Sequence, residues 1–318
     1  MSAQNFADRL IGEVEKKNSC LVVGIDPRID LIPNLIKGKA SGGAKDSLEA
    51  CAAAIEQFGK DLIDAIADLV PAVKPQVAYY ERFGWQGFRA FCETVKYAKA
   101  KGLIVIGDVK RSDIGSTVQA YADGLMGTVA WKGKESEPIG LDAVTVNAYL
   151  GSDGVKPFLD VAAKRGRGMF ILVRTSNPSA ADLQDITSGG KRIYEIMADL
   201  VGRWGEPLLG RRGYSSVGAV VGATYPDDAR RLRAILPRTI FLMPGVGAQE
   251  GDVTTLGECF DGNGHGALIA AARSIDYAYQ SEPYKQRFGE AKWQEAAAEA
   301  TRELNDQINA VRFGRCRR

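Results

Sequence analysis

The sequence predicts a single closed (β/α)8 barrel, and three observations carry that expectation. Eight short, β-rich, mostly apolar runs recur along the 318 residues. Helical patterns lie between them, and no Pro- or Ser-rich linker divides the chain. Such a barrel typically needs about 250 residues, so a surplus is expected in long loops at 27–45, 124–140 and 176–215. The expected domain spans 1–318, flanked by an N-terminal helix within 1–19 and a C-terminal helix with a basic tail over 284–318.

The runs are "CLVVGID" (20–26), "AVKPQ" (72–76), "LIVIGDV" (103–109), "AVTVN" (143–147), "MFILVRT" (169–175), "VGAVVGA" (217–223), "IFLMPGVG" (240–247) and "ALIAAA" (267–272). Apolar almost throughout, they suit strands buried on both faces of a parallel sheet. Over 46–70, Leu48, Ala52, Ile55, Phe58, Leu62, Ile66 and Leu69 keep the three- and four-residue spacing of one helical stripe. Trp293, Ala297, Ala300, Leu304, Ile308 and Val311 repeat it near the C-terminus. An open doubly wound sheet also alternates strand and helix. It is disfavoured because no strand is followed by G-x-G-x-x-G with an acid at the right distance.

Composition excludes several classes. Apolar residues make up 45% and charged residues 25%, the balance of a chain with a full core. A net charge of +2, from 41 basic and 39 acidic residues, gives no reason to expect a nucleic-acid track or an anionic membrane. Five scattered cysteines without CxxC argue against a disulfide framework or a zinc site and suit a reducing compartment. The opening residues lack the apolar core of a signal peptide, and no apolar run would cross a bilayer. A cytoplasmic globular protein is expected.

In a barrel, functional groups gather where strands end. Those ends carry Asp26, Lys74, Asp108 with Lys110, Asn147, Ser176 within "RTSN", Gly247 and Gln249 within "PGVGAQ", and Arg273. Asp108 and Lys110 are two apart, so a regular strand turns both to one side, with Val109 toward the helices. Asp113 follows in the loop, and Lys74 rises from the neighbouring strand. An isolated D-x-K at a surface is an ordinary ion pair. Here four alternating charges leave very apolar strands, which favours a functional cluster in which acids hold lysines charged and lysines hold acids ionised. Lys110 between Asp108 and Asp113 opposes metal binding. The only histidine, His265, precedes the eighth strand and reads as structural. "GVGAQ" and "AARSI", at the last two strand ends, suit a phosphate, with glycine amides and the forked Arg273 as donors. "RTSNPS" alone reads as a capped turn.

These residues resemble the orotidine 5′-phosphate decarboxylase family, specifically its longer bacterial (type 2) branch. The likeness covers most of the chain through "VGIDPR", "VKPQVAYYERFG", "GDVKRSDIGST", "TVNAYLGSDG", "LVRTSNPSA", "VVGATYPDDARRLR", "PGVGAQEGD" and "AARSI". The resemblance implies decarboxylation of orotidine monophosphate to UMP and CO2, the last step of de novo pyrimidine synthesis, with no metal or organic cofactor. It implies a charged tetrad of Lys74, Asp108, Lys110 and Asp113. In that tetrad Lys110 is the proton donor to C6, and Asp108 is the carboxylate beside the departing CO2. It places Lys74 and Asp26 on the ribose, Ser176 on the pyrimidine edge, and Gln249 and Arg273 on the phosphate, with 246–262 closing over it. Asp113 and Thr117 match residues sent across a dimer seam, which implies a homodimer with a shared site. Where many members carry Gly or Ser before the arginine, this chain has Ala272, which would preserve a backbone donor.

Two rivals remain. A magnesium-dependent sugar-phosphate synthase or decarboxylase of the same superfamily places an acid where Lys74 stands. A non-catalytic nucleotide-binding barrel would use the same phosphate loops.

Overall fold

Strands form where the chain is apolar on both faces. In the computed structural model, which describes residues 4–41, 47–245 and 253–314, they are β1 (Leu21–Ile25), β2 (Ala72–Pro75), β3 (Ile104–Arg111), β4 (Ala143–Val146), β5 (Gly168–Arg174), β6 (Ser215–Val221), β7 (Thr239–Pro244) and β8 (Ala267–Ala271). Almost every residue in them is buried, as a parallel sheet covered on both sides requires. The eight strands pair in sequence order, and β8 returns to β1 with Ile269 opposite Leu21, closing the barrel. Each lies on one of the predicted runs. β3 continues past the predicted end at 109 to Arg111.

The helices around and beneath the barrel are α1 (Phe6–Lys17), α2 (Asn34–Ser41), α3 (Ser47–Ile66), α4 (Gly84–Ala100), α5 (Gly115–Met126), α6 (Ser152–Arg165), α7 (Ile193–Gly205), α8 (Pro226–Ile235) and α9 (Trp293–Gly314). In α3 the predicted stripe buries Ala52, Ile55, Phe58, Leu62 and Ile66, whereas Leu48 is exposed in the first turn and Leu69 lies past the last. Phe58 stacks on Trp293 of α9, joining the two predicted stripes.

α1 seals the floor of the barrel. Asn5 caps it, its side-chain oxygen accepting from the amides of Ala7 and Asp8. Phe6 then enters beneath β5, edge-on to Phe170 with ring centroids 6.2 Å apart. Gly168 makes room: a Cβ there would lie 2.2 Å from the Phe6 ring. His265 belongs to the same end. Its amide donates to Asp261 and its Nε2 lies 3.5 Å from Glu15, in keeping with a structural role.

The expected long loops are largely structured. The 176–215 segment holds the hairpin Thr187–Ser188 with Lys191–Arg192 and then all of α7. α7 was not read from the sequence, although its buried Tyr194, Ala198, Val201 and Gly205 keep helical spacing. The 27–45 segment contains α2, and 124–140 contains the hairpin Val129–Trp131 with Lys134–Ser136. Strict eightfold alternation is not kept: between β7 and β8 the described residues form only the 3-10 stretch Val253–Cys259.

Truncating the floor plug removes a fully buried aromatic ring, so Phe6→Ala is expected to lose about 3–5 kcal/mol of stability. Chemical denaturation should show this as a lower midpoint with an unchanged slope.

Candidate active site

Three adjacent strand ends bring opposite charges into contact. Gly24 of β1 pairs with Lys74 of β2, and Gln76 bridges to Asp108 of β3. Lys74 Nζ donates to Asp108 Oδ2 at 2.7 Å, and Lys110 Nζ donates to Asp108 Oδ1 at 2.5 Å. Gln76 Nε2 adds a bond to Oδ2 at 3.0 Å, and the Thr145 hydroxyl one to Oδ1, also at 3.0 Å. Asp108 therefore accepts from four donors, which fills its oxygens.

Lys74 and Asp108 are only 8% and 7% exposed, so their attraction has to outweigh a desolvation penalty. Burial pushes the Lys74 ammonium down, but Asp108 and Asp26 more than offset it and hold it above its ordinary value. Burial pushes the Asp108 carboxyl up, and Lys74 with Lys110 overcome this, holding it well below the usual carboxylate range. Asp26 differs. Burial raises it, against the pull of Lys74. The Lys110 side chain remains 47% exposed at the mouth.

Lys110 reaches the face of Asp108 by another route than regular alternation. β3 slips register against β4 between Gly107 and Arg111, and Lys110 takes a left-handed conformation with φ 42°. A non-glycine residue there is strained by about 1–3 kcal/mol and needs its surroundings to hold it. Thr145 supplies that hold. Its Oγ1 accepts from the amides of Val109 (3.0 Å) and Lys110 (2.9 Å) while donating to Asp108.

The cluster lies where two cavity lobes meet. One, of 380 Å³, combines Lys74, Asp108, Lys110, Thr145 and Ser176 with the apolar Leu172, Val220, Leu242 and Pro244. The other, of 250 Å³, is lined by Gly24, Asp26, Gln76, Gly245, Ala272 and Arg273, and shares Lys74, Asp108, Ser176 and Pro244 with the first. Together they are the size of a small-molecule site, apolar on one side and charged on the other. Gly24 permits this closeness, since a Cβ on it would lie 2.6 Å from that of Ala272. Asp26 and Arg273 thus come to line one lobe.

Six predicted residues are brought together: Lys74, Asp108, Lys110, Asp26, Ser176 and Arg273. Others are not. Asp113 accepts from the Ile114 amide at 2.8 Å, Thr117 is exposed on α5, and neither lines the cavity. Within one chain Lys110 is therefore paired with Asp108 alone among the described residues, not flanked by two acids. Asn147 does not line the cavity either. It is exposed, and its side chain accepts from the Tyr149 amide at 3.1 Å to close a turn. Gly247 and Gln249 lie outside the described residues.

Three groups escaped the sequence reading. Thr145 stands two before Asn147 as a lone hydroxyl in an apolar run, and Gln76 stands two after Lys74, so same-face spacing could have found both. Asp276, fully buried behind Asp26, had no such signal.

Comparison with known proteins bears on this geometry. Residues 21–280 match the orotidine 5′-phosphate decarboxylase / HUMPS family. The orotidine 5′-phosphate decarboxylase of Rhodopirellula baltica is 42% identical over 303 residues, covering 95% of this chain and 98% of its own. That of Caldicellulosiruptor bescii is 38% identical, covering 96% of this chain and 99% of its own. The structure of Leishmania donovani OMP decarboxylase superposes with a TM-score of 0.71 at 31% identity, covering 98% of this chain and 99% of its own.

Because one hydroxyl both holds the strained amide and braces the carboxylate, Thr145→Val is expected to cost about 1–3 kcal/mol in denaturation at neutral pH. A neutral outcome would mean that the Lys110 backbone is held by something else.

Proposed function

The chain belongs to the orotidine 5′-phosphate decarboxylase / HUMPS family, and on that premise we propose how the mouth of its barrel carries out the reaction. That reaction is the decarboxylation of orotidine 5′-phosphate to UMP and CO2 in pyrimidine biosynthesis. The observation that carries the residue assignment is Lys110 Nζ lying 2.5 Å from Asp108 Oδ1 at the rim of the cavity.

The pyrimidine ring occupies the apolar lobe with its edge at Ser176. Asp26 and Lys74 take the ribose, and Arg273, with Gln249, takes the phosphate. Breaking the C6–carboxylate bond leaves an electron pair on C6 in the ring plane, where the π system cannot spread it. The Lys110 ammonium faces that charge without reorganising. It then gives its proton to C6 and regains one from water. Asp108 orients both lysines and repels the substrate carboxylate, a repulsion relieved as that group leaves as neutral CO2. Ground-state repulsion of this kind is offset by binding energy from the remote phosphate.

The magnesium-dependent reading is less well supported, because both Asp108 oxygens already accept from ammonium groups, and Lys74 stands where that reading needs an acid.

A homodimer completes the site. Asp113 and Thr117 lie outside their own chain's cavity, beside exposed Ile114, Tyr149 and Leu150, and the Asp113 carbonyl packs against Gly154 at the start of α6. An apolar patch next to unused polar groups suits a second copy whose cavity they enter. A cytoplasmic location accords with the free Cys20, Cys51 and Cys92; among the described residues no helix is long and apolar enough to cross a membrane.

Two expectations follow from these roles. Metal-stripped protein should turn over orotidine monophosphate, followed by its absorbance, and Lys110→Ala should lower kcat by about 10³-fold or more with the fold retained. Activity lost to EDTA and restored by magnesium would instead favour the rival chemistry. For the shared site, Lys110→Ala and Asp113→Ala should each be inactive alone. Mixed and allowed to exchange subunits, they should recover about a quarter of wild-type activity, since half the dimers carry one intact site. No recovery despite demonstrated exchange would place Asp113 in its own chain's site or in none.

A further inference from the structure

Behind the charged lobe, the turn that follows β8 buries a carboxyl group that the proposed chemistry leaves unused. Asp276 is 0% exposed. Its Oδ2 accepts from the Asp26 amide at 3.1 Å, and its Oδ1 has no hydrogen-bond partner among the described residues. Nor does any ion pair reach it among the described residues. The next residue continues the grip: Tyr277 Oη donates to the Asp26 carbonyl at 2.7 Å and accepts from the Arg28 amide at 2.6 Å. Three hydrogen bonds from one turn thus fix the main chain on either side of Asp26, whose own Oδ1 is buried and without a hydrogen-bond partner among the described residues.

We propose that Asp276 stands in the folded chain as a neutral carboxylic acid and is the positioning residue that sets Asp26 against the cavity. An ionised carboxylate sealed from water with no cation in contact carries a large desolvation penalty, and protonation removes it. The surrounding groups agree. Asp26 is an adjacent acid, and the Lys74 ammonium is engaged by Asp108. The Tyr80 and Tyr277 phenols are driven upward by burial, so they stay neutral, and Arg273 faces the mouth. Burial, followed by the charge of Asp26, pushes the Asp276 carboxyl well above its ordinary value, with the Asp26 amide and Lys74 pulling the other way. The polar lobe thereby keeps Asp26 free of a second negative charge at its back.

The proposal deepens the assignment of Asp26 to the ribose and rests on it for its functional half. The test compares wild type, Asp276→Asn, Asp276→Ala and Asp26→Ala at one protein concentration. A group neutral in the fold and ionised when unfolded takes up a proton on folding. Wild type should therefore lose stability against Asp276→Asn as pH rises from about 4, by about tenfold in the folding equilibrium per pH unit, until the folded group itself ionises. A pH-independent difference, or one of opposite sign, would overturn the neutral acid. Asp276→Ala should raise KM for orotidine monophosphate several-fold, and Asp276→Asn, which keeps the acceptor, should restore most of the loss. A wild-type KM in Asp276→Ala would overturn the positioning role. If Asp26→Ala itself leaves KM unchanged, the ribose assignment fails while the pH slope still decides the proton. Should neither Asp276 variant fold, infrared spectroscopy of wild type decides, through the presence or absence of a protonated-carboxyl band at neutral pH.

Discussion

Asp108 is shared between two ammonium groups, and most of the local architecture follows from keeping that arrangement rigid. A carboxylate this deeply buried keeps its charge only because Lys74 and Lys110 both donate to it and Gln76 and Thr145 complete its shell. The reverse also holds, since Lys74 stays an ammonium in a buried position because Asp108 and Asp26 face it. Neither partner is stable there alone: removing one leaves an uncompensated buried charge. Donors and acceptors are thus in place before any ligand arrives, the condition under which electrostatics lower a barrier.

Rigidity at this point depends on a departure from regular structure. β3 would end as an ordinary strand if Lys110 kept extended dihedrals, yet it slips register and turns left-handed there. The strain is local and is met locally, by one threonine hydroxyl that takes two consecutive amides and gives its own proton to the carboxylate. Because that threonine belongs to β4, the position of the lysine is set by the barrel rather than by its own loop. The floor plug acts at greater distance: with Phe6 beneath β5, the strands are packed from below and their upper ends are left to carry polar groups.

How much of this was legible in the sequence depends on the range over which each signal acts. Strands covered on both faces announce themselves as unbroken apolar runs, so all eight were placed. The D-x-K pair was placed at the right strand end, although a left-handed turn and not two-residue alternation brings Lys110 to Asp108. Asn147 was named as a polar strand end, but the strand ends at Val146 and the hydroxyl that reaches the cluster is Thr145. The backbone of Lys110 could not be read, since its conformation answers to a hydroxyl 35 residues away. Asp276 was invisible for the same reason. It lies in a four-residue helix with no periodicity, and its meaning comes only from the Asp26 amide, 250 residues distant in sequence. α7 was missed for a different reason: its segment was assigned to a loop insertion, although its buried face keeps helical spacing.

The two lysines look alike in sequence, and their exposure separates their tasks. Lys74 is nearly buried beside acids and meets only the cavity. Lys110 is held by Asp108 at its tip yet is about half exposed along its side chain, so water can reach it. A group that surrenders a proton in each turnover has to be refilled each time, which is consistent with the donor role proposed for the lysine at the mouth. The sealed lysine does what exposure would spoil: it keeps Asp108 ionised and immobile while the other changes charge. Interchanging the two environments would leave the net charge of the mouth unaltered and remove its ability to cycle. Burial therefore supports the proposed division of roles alongside residue type.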